Sequence, residues 1–298
     1  MRVNDSATVL NRPVVSAGVA WGFLGVAAFS FTVPLTRVAI DGGLDPLFVG
    51  SARAVVAAAL AAIALAATRQ RLPRIRQWAR LAIVALGVIV GFPILTSFAL
   101  VTADASHSAV VIALLPAATA VAAVVRAGER PGPAFWTAAL LGAAVAVGFA
   151  IVQGGLDGLA WADLLLFGAV VAAAIGYAEG GLLARELGAW QTISWALVLS
   201  APGMLVLALV SPPFGGPIGA VPWLAFGYLA VVSMLLGFFA WYRGLGIGPI
   251  ATVSQIQLAQ PALTVAWAVI LLGEPLTLPT VIGAIAVVAC AAIAVRAR

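Results

Sequence analysis

The chain has 298 residues, 64% of them hydrophobic and only 8% charged, with a mean hydropathy of +1.16. Soluble domains carry about 25% charged residues, so this composition cannot cover a water-soluble globule and specifies a polytopic helical membrane protein. The net charge of +5 comes from fifteen basic residues, all arginine, scattered between apolar runs with no aromatic-interleaved patch, which argues against a nucleic-acid partner.

The N-terminus, Met1 to Pro13, is short and polar and leads straight into an apolar run without a small-residue cleavage site, so no removable signal peptide is expected. Ten candidate spans follow, at about 15–39, 46–67, 81–102, 105–125, 134–152, 162–184, 190–210, 222–242, 250–272 and 277–295. Each is near the roughly 20 residues a helix needs to cross hydrocarbon. The connections are short and rich in Gly, Pro, Asp or Arg, such as Asp41-Gly42-Gly43-Leu44-Asp45-Pro46, and leave no room for a soluble domain. Cys290 stands alone in the last span, so neither a disulfide nor a cysteine metal site is expected. No cofactor or metal is expected either.

Orientation follows from the arginines. With the N-terminus in the cytoplasm, thirteen of the fifteen lie inside, including the cluster Arg69, Arg71, Arg74, Arg76 and Arg80. Only Arg37 and Arg53 fall toward the outer side, where Asp41, Asp45, Asp104, Asp157 and Asp163 also collect. That bias predicts an inner (plasma) membrane protein with both termini cytoplasmic.

The chain also repeats itself. Leu115-Pro116-Ala117 is followed, thirteen positions after the proline, by Gly128-Glu129-Arg130, and Gln260-Pro261-Ala262 by Gly273-Glu274-Pro275. The copies are offset by 145 residues, and the turn Gly43-Leu44-Asp45-Pro46 aligns at the same offset with Gly188-Ala189-Trp190-Gln191. Two units of five spans are therefore expected, 1–153 and 154–298. An odd number of spans per unit turns the second upside down, the skeleton of many alternating-access carriers with a substrate site near the midplane. The fold class predicted is all-α, ten transmembrane helices as two inverted five-helix repeats.

Ten spans, a five-plus-five duplication and paired Pro…Gly-Glu units in the fourth and ninth spans resemble the drug/metabolite transporter superfamily, EamA type, over nearly the whole chain. The resemblance implies transport of small metabolites, often amino-acid export, through a central cavity lined by spans one, three, four, six, eight and nine. Within it, the aromatic amino-acid exporters of the YddG type are similar in general outline. The implied partners are a small-molecule substrate and the lipid bilayer; the oligomeric state is left open, a monomer being plausible.

The residues give candidates of their own. In the ninth span Ser254, Gln257, Gln260, Pro261 and Thr264 share one face about 120° wide at 100° per residue, either as a cavity wall or as hydrogen-bonding bridges between helices. Their counterparts in the first half, Ala109, Ile112, Leu115, Pro116 and Thr119, are mostly apolar, so a lopsided site is expected. In the first span Ser30 and Arg37 share a face; Arg37 either meets a departing carboxylate, snorkels, or pairs with Asp41. Glu179, beside Tyr177 and the Gly180-Gly181 pair near the inner end of the sixth span, either couples transport to protons, pairs with Arg185, or caps a break at the glycines. His107, the only histidine, is either a hydrogen-bonded interfacial residue or a second coupling candidate. Glu129 and Glu274 read as caps for the backbone amides of the following helix start. Pro34, Pro93, Pro116, Pro202 and Pro261 each delete a helix hydrogen bond, and the repeat-paired Pro116 and Pro261 are the hinge candidates. Gly18, Gly22, Gly25, Gly237, Gly244 and Gly248 suit close helix packing, and Trp241 and Trp267 either stack on an aromatic substrate or fill packing.

Three rivals are weighed against an amino-acid carrier. A membrane-embedded enzyme needs clustered nucleophiles, metal ligands or paired acids, which one His, one Cys and one glutamate within a span do not supply. A channel needs symmetric polar rings rather than a one-sided stripe. Nucleosides, sugar derivatives, phosphates or drugs remain alternative cargoes; anionic ones would want several arginines inside the spans, and cationic ones a carboxylate in the first. No phosphate-binding loop of the ATPase kind occurs, so a gradient must drive transport.

Overall fold

The computed structural model describes residues 12–127, 160–211, 216–247, 253 and 255–296, together with ten positions between 133 and 148. Among these, seven helices are long and apolar enough to cross a membrane: Ala17–Asp41, Pro46–Ala67, Ile75–Ala99, Ala105–Arg126, Trp161–Leu187, Ala189–Val210 and Ala220–Ile247. Two shorter apolar helices, Ile256–Leu272 and Leu278–Cys290, follow. These are the first to fourth and sixth to tenth spans of the sequence; the fifth, 134–152, lies in part outside the described residues, as do Glu129 and Gly248. The second span, with 22 residues, is about 33 Å long at 1.5 Å per residue, enough for the hydrocarbon layer.

Local chemistry sets the ends. Asp45 accepts a hydrogen bond from Phe48 N at 3.0 Å and Pro46 occupies the first helical turn, so the second span starts where its cap and its fixed φ coincide. The turns before the second and seventh spans both need a glycine, for Gly43 and Gly188 each have φ +99°. The two stretches aligned at an offset of 145 thus share a positive-φ glycine at the same position, although the first connection runs over 42–45 and the second is Gly188 alone.

The third span begins at Ile75 rather than 81. Its polar opening, Arg74–Arg80, reads as a loop by composition. Arg74 N donates to Gln77 Oε1 at 2.8 Å to start the helix, and arginine stems can lie along apolar surface with their heads elsewhere. The middle of this span, Ala85–Gly91, and that of the eighth, Leu229–Leu236, are π-helical. The two wide stretches occupy matching places in the two halves, and such insertions concentrate at functional sites.

The fourth and ninth spans are broken. The fourth is helical over Ala105–Ile112 and again over Leu115–Ala127. The ninth runs as a 3-10 helix over Gln255–Ala259 and becomes α-helical over Gln260–Leu272; its expected start at 250 lies outside the described residues. Pro116 and Pro261 each stand second in the new α segment. Neither has an N–H to reach the carbonyl four residues back, that of Ile112 or Gln257, which is why both helices change pitch at that point.

Packing repeats across the halves. The first span packs on the eighth and the sixth on the third, while the second pairs with the seventh and the fourth with the ninth. Exchanging the halves maps this pattern onto itself. Gln191, at the start of the seventh span, donates to Gln70, just past the end of the second, at 3.3 Å, so these two equivalents run antiparallel. The first and eighth spans touch backbone to backbone: a Cβ on Gly244 would stand 2.8 Å from Gly22 N, so the expected glycine contact forms here.

Glu274 ties the halves together. Its carboxylate accepts from Ala105 N and Ser106 N, both at 2.8 Å, at the N-terminus of the fourth span. The expectation of free amides is met, but the helix is not the following one; it is the facing helix of the other half. A carboxylate there satisfies two orphan donors and complements the helix dipole. Glu274→Ala is expected to cost about 1–2 kcal/mol, read as a lower melting temperature in detergent, with Glu274→Gln between it and the unaltered chain.

Candidate functional site

Two tight, nearly closed chambers, with free volumes of only about 10 and 20 Å³, meet in the middle of the bundle, sharing Val33 and Gln260 as wall residues. The smaller lies between the fourth span (Ala109, Ile112, Leu115, Pro116) and the ninth (Gln257, Gln260, Pro261, Thr264). This is the polar face of the ninth span set against its apolar counterpart. The larger is bounded by the first span through Thr32, the second through Arg53, the third through Pro93, the sixth through Tyr177 and the eighth through Ser233 and Phe238. Thr32 and Tyr177, Val88 and Ser233, and Pro93 and Phe238 are each 145 positions apart and all line this chamber. The cavity therefore lies where the halves exchange, and the π-helical stretches contribute Val88, Ser233 and Met234 to it.

The predicted residues separate into two groups. Gln257 is 1% exposed; its amide interacts with the Tyr177 hydroxyl but falls outside hydrogen-bond geometry, and neither amide atom has another partner. Gln260 Oε1 is also buried and unpartnered. Ser30, Thr264 and Trp267 are instead consumed in a bridge between the first and ninth spans. Thr264 Oγ1 donates to the Ser30 carbonyl at 3.0 Å, and Trp267 Nε1 to Ser30 Oγ at 3.1 Å. Trp267 also stacks on Phe31, with centroids 4.3 Å apart. Ser254 lies outside the described residues. Of the two roles open to the stripe, then, the described members divide: the glutamines face the cavity with open valences, while Thr264 lines it and bridges.

Below the larger chamber sits a ring cluster. Phe29 packs on Phe238 at 4.9 Å and on Trp241 at 6.4 Å, and Tyr177 lies 5.7 Å from Trp241. Trp241 is wholly buried among these rings.

The remaining candidates lie at the ends of the bundle. Arg37 pairs with Asp41 at 2.7 Å and donates to the Leu100 and Ala103 carbonyls at 3.0 and 2.8 Å, which joins the first span to the end of the third. His107 Nε2 shares a 2.6 Å hydrogen bond with the buried Asp163 Oδ1, joining the starts of the fourth and sixth spans. At the opposite end Glu179 is held by Arg80 and Arg126, and Arg80 also binds Glu186. The partner of Glu179 is thus not Arg185. That residue follows on the same helix, whereas Arg80 and Arg126 reach in from the third and fourth spans.

Arg53 corrects the sequence reading outright. Counted there as an outer, topological charge, it is 1% exposed and faces the larger chamber, and its Nε and Nη2 have no hydrogen-bond partner. It is the eighth residue of its helix, roughly 10 Å from the end at 1.5 Å per residue. Charge counting assigns such a residue to the nearest loop, and only packing shows which way it faces.

A membrane helical bundle of two like halves, with a polar cavity at their junction, is the architecture of a secondary carrier. The sequence comparisons agree: the chain matches the EamA-like transporter family twice, over residues 16–151 and 160–296, and belongs to it. It is 44% identical over 276 residues to a Bacillus subtilis (strain 168) protein called uncharacterized transporter YdeK, covering 92% of this chain and 96% of the relative. One crystal structure superposes with a TM-score of 0.67 over 94% of this chain and 96% of its own, at 20% identity, which supports the fold alone.

Glu179→Gln is expected to lower stability by about 2 kcal/mol, because two guanidinium groups lose their shared anion, a penalty reduced by the half-exposure of Arg126. Thermal melting of the detergent-purified chain measures it, and an unchanged melting point would show that the cluster contributes nothing.

Proposed function

We propose that this transporter exports small metabolites, amino acids first among them, by alternating access through the two-chambered cavity. The two five-span halves, 1–153 and 154–298, are inverted relative to each other in this reading, with both termini cytoplasmic as the arginine distribution favours. The observation that carries it is the pair of buried glutamines at a helix break that opens on the cavity: both amide atoms of Gln257 and the Oε1 of Gln260 have no hydrogen-bond partner. Leaving a buried amide unpaired is unfavourable, and in a carrier the loaded solute is what pairs it. Pro116 and Pro261 act as the hinges in this scheme, since the pitch of both broken spans changes beside them. The Phe29, Tyr177 and Phe238 rings beside the cavity favour solutes with an aromatic or large apolar side chain. Glu179 is structural rather than coupling, because its charge is already balanced by two arginines.

Uptake of labelled phenylalanine and leucine into proteoliposomes tests this. Gln257→Ala is expected to reduce the rate about tenfold without lowering the melting temperature, and Glu179→Gln is expected to keep whatever response a pH gradient produces. Unchanged uptake in the glutamine variant would remove Gln257 from the site. Movement of no amino acid at all would overturn the cargo and leave other metabolites as candidates.

A further inference from the structure

We infer that Arg53 is the anchor for a carboxylate on the transported solute. This rests on the transport reading above and adds to it the group by which cargo is recognised. Arg53 is among the largest wholly buried side chains of the protein and lines the larger chamber with Thr32, Tyr177, Ser233 and Gln260, all uncharged. The buried carboxylates among the described residues, Asp163 and Glu179, are taken by His107 and by Arg80 and Arg126. Nothing in the chamber wall balances the guanidinium. A lone buried charge costs several kcal/mol, so its counter-ion must come from outside the chain.

The unpartnered atoms define the shape of that counter-ion. Nε and Nη2 lie along one edge of the guanidinium plane, and their N–H bonds point the same way. That edge matches the two oxygens of one carboxylate in a bidentate pair. The residue at the matching place in the other half, 145 positions on, is Val198, so the repeat supplies no second cation there. A single guanidinium in a neutral chamber balances a monoanionic head, whereas a dianionic phosphate ester would enter in excess. The chamber has about 20 Å³ free in this state, so a solute on Arg53 requires it to widen; the Tyr177 and Phe238 rings and the amide of Gln260 line the space into which its tail would then extend.

The test is thermal melting of the full-length chain in detergent with four probes: phenylalanine, phenylalaninamide, 3-phenylpropionate and 3-phenylpropionamide. Both acids are expected to raise the melting temperature and both amides to leave it unchanged. Arg53→Met should weaken the acids roughly 100-fold, with Arg53→Lys, which keeps the charge and loses the fork, between the two. Without any probe, Arg53→Met should melt no lower than the unaltered chain, because the charge it removes has no partner. Equal responses to acid and amide, an acid response surviving in Arg53→Met, or no response to any probe would each overturn the anchor. So would an unliganded Arg53→Met that melts several degrees lower, since that assigns Arg53 a structural role. Phenylalanine uptake lost in Gln257→Ala but intact in Arg53→Met would refute the anchor and keep the export reading. An Arg53-dependent response to 3-phenylpropionate, with no amino acid transported, would do the reverse.

Discussion

Hydrocarbon cannot hydrogen-bond, so every polar group carried into the membrane must find its partner within the bundle, and the structure is organised by where that requirement is met. At one end Glu179 and Glu186 are met by Arg80 and Arg126. At the other, Asp163 is met by His107, Arg37 by Asp41 and two carbonyls, and Glu274 by two backbone amides. Between these layers the requirement goes unmet at Arg53, Gln257 and Gln260 together, all on the walls of the two adjoining chambers. The hydroxyls of Ser97, Ser106, Ser108, Thr119 and Ser194 and the Trp241 indole N–H are also buried and unpartnered, but they lie apart from the chamber walls; the guanidinium and the two amides are the ones that stand around one space.

The two halves share a frame and differ in what they hang on it. Matching positive-φ glycines, matching π-helical stretches and matching prolines show that the backbone solution was used twice. The side chains that meet the cavity diverge at the same positions: Gln257 answers to Ile112, Gln260 to Leu115 and Arg53 to Val198. A symmetric frame gives two equivalent ways of closing around the centre. An asymmetric lining gives a solute a head end and a tail end.

Much of the frame was legible in the chain. Apolar runs of the right length gave the spans, the offset of 145 gave the repeat, and the cavity face of the ninth span followed from helical spacing. What was not legible depended on direction and reach. The second span is so rich in alanine that no periodic face marks Arg53, and its charge was read as topology because charge counting has no term for packing. Arg74–Arg80 looked like a loop because composition cannot distinguish solvated arginines, such as Arg74 and Arg76, from one like Arg80 that turns inward to carboxylates on another helix. Glu274 was recognised as a cap for backbone amides, but which helix it caps is a matter of which half faces which. Ser30 and Thr264 looked like cavity residues by spacing and proved to bond each other across a helix contact, since one stripe can face both a cavity and a neighbour.

The bonds between spans also indicate which parts of the bundle travel together in the proposed cycle. The fourth span is broken in its middle, yet both of its segments are fastened to the long unbroken sixth. His107 holds the first segment to Asp163, and Arg126 holds the second to Glu179. The corresponding pair in the other half, the ninth span and the first, is fastened by Thr264 and Trp267 on Ser30. Each broken span is thereby tied to a partner from the opposite half. The smaller chamber has its walls on both pairs, with Ile112 and Pro116 on one side and Val33 and Gln257 on the other. Separating the pairs keeps both sets of bonds and releases only Glu274 from Ala105 N and Ser106 N, whereas moving the two sequence halves apart as blocks would break all three. In the proposed cycle, motion between the mixed pairs therefore breaks fewer of these bonds than motion between the sequence halves, and Pro116 and Pro261 are the proposed hinges inside each pair.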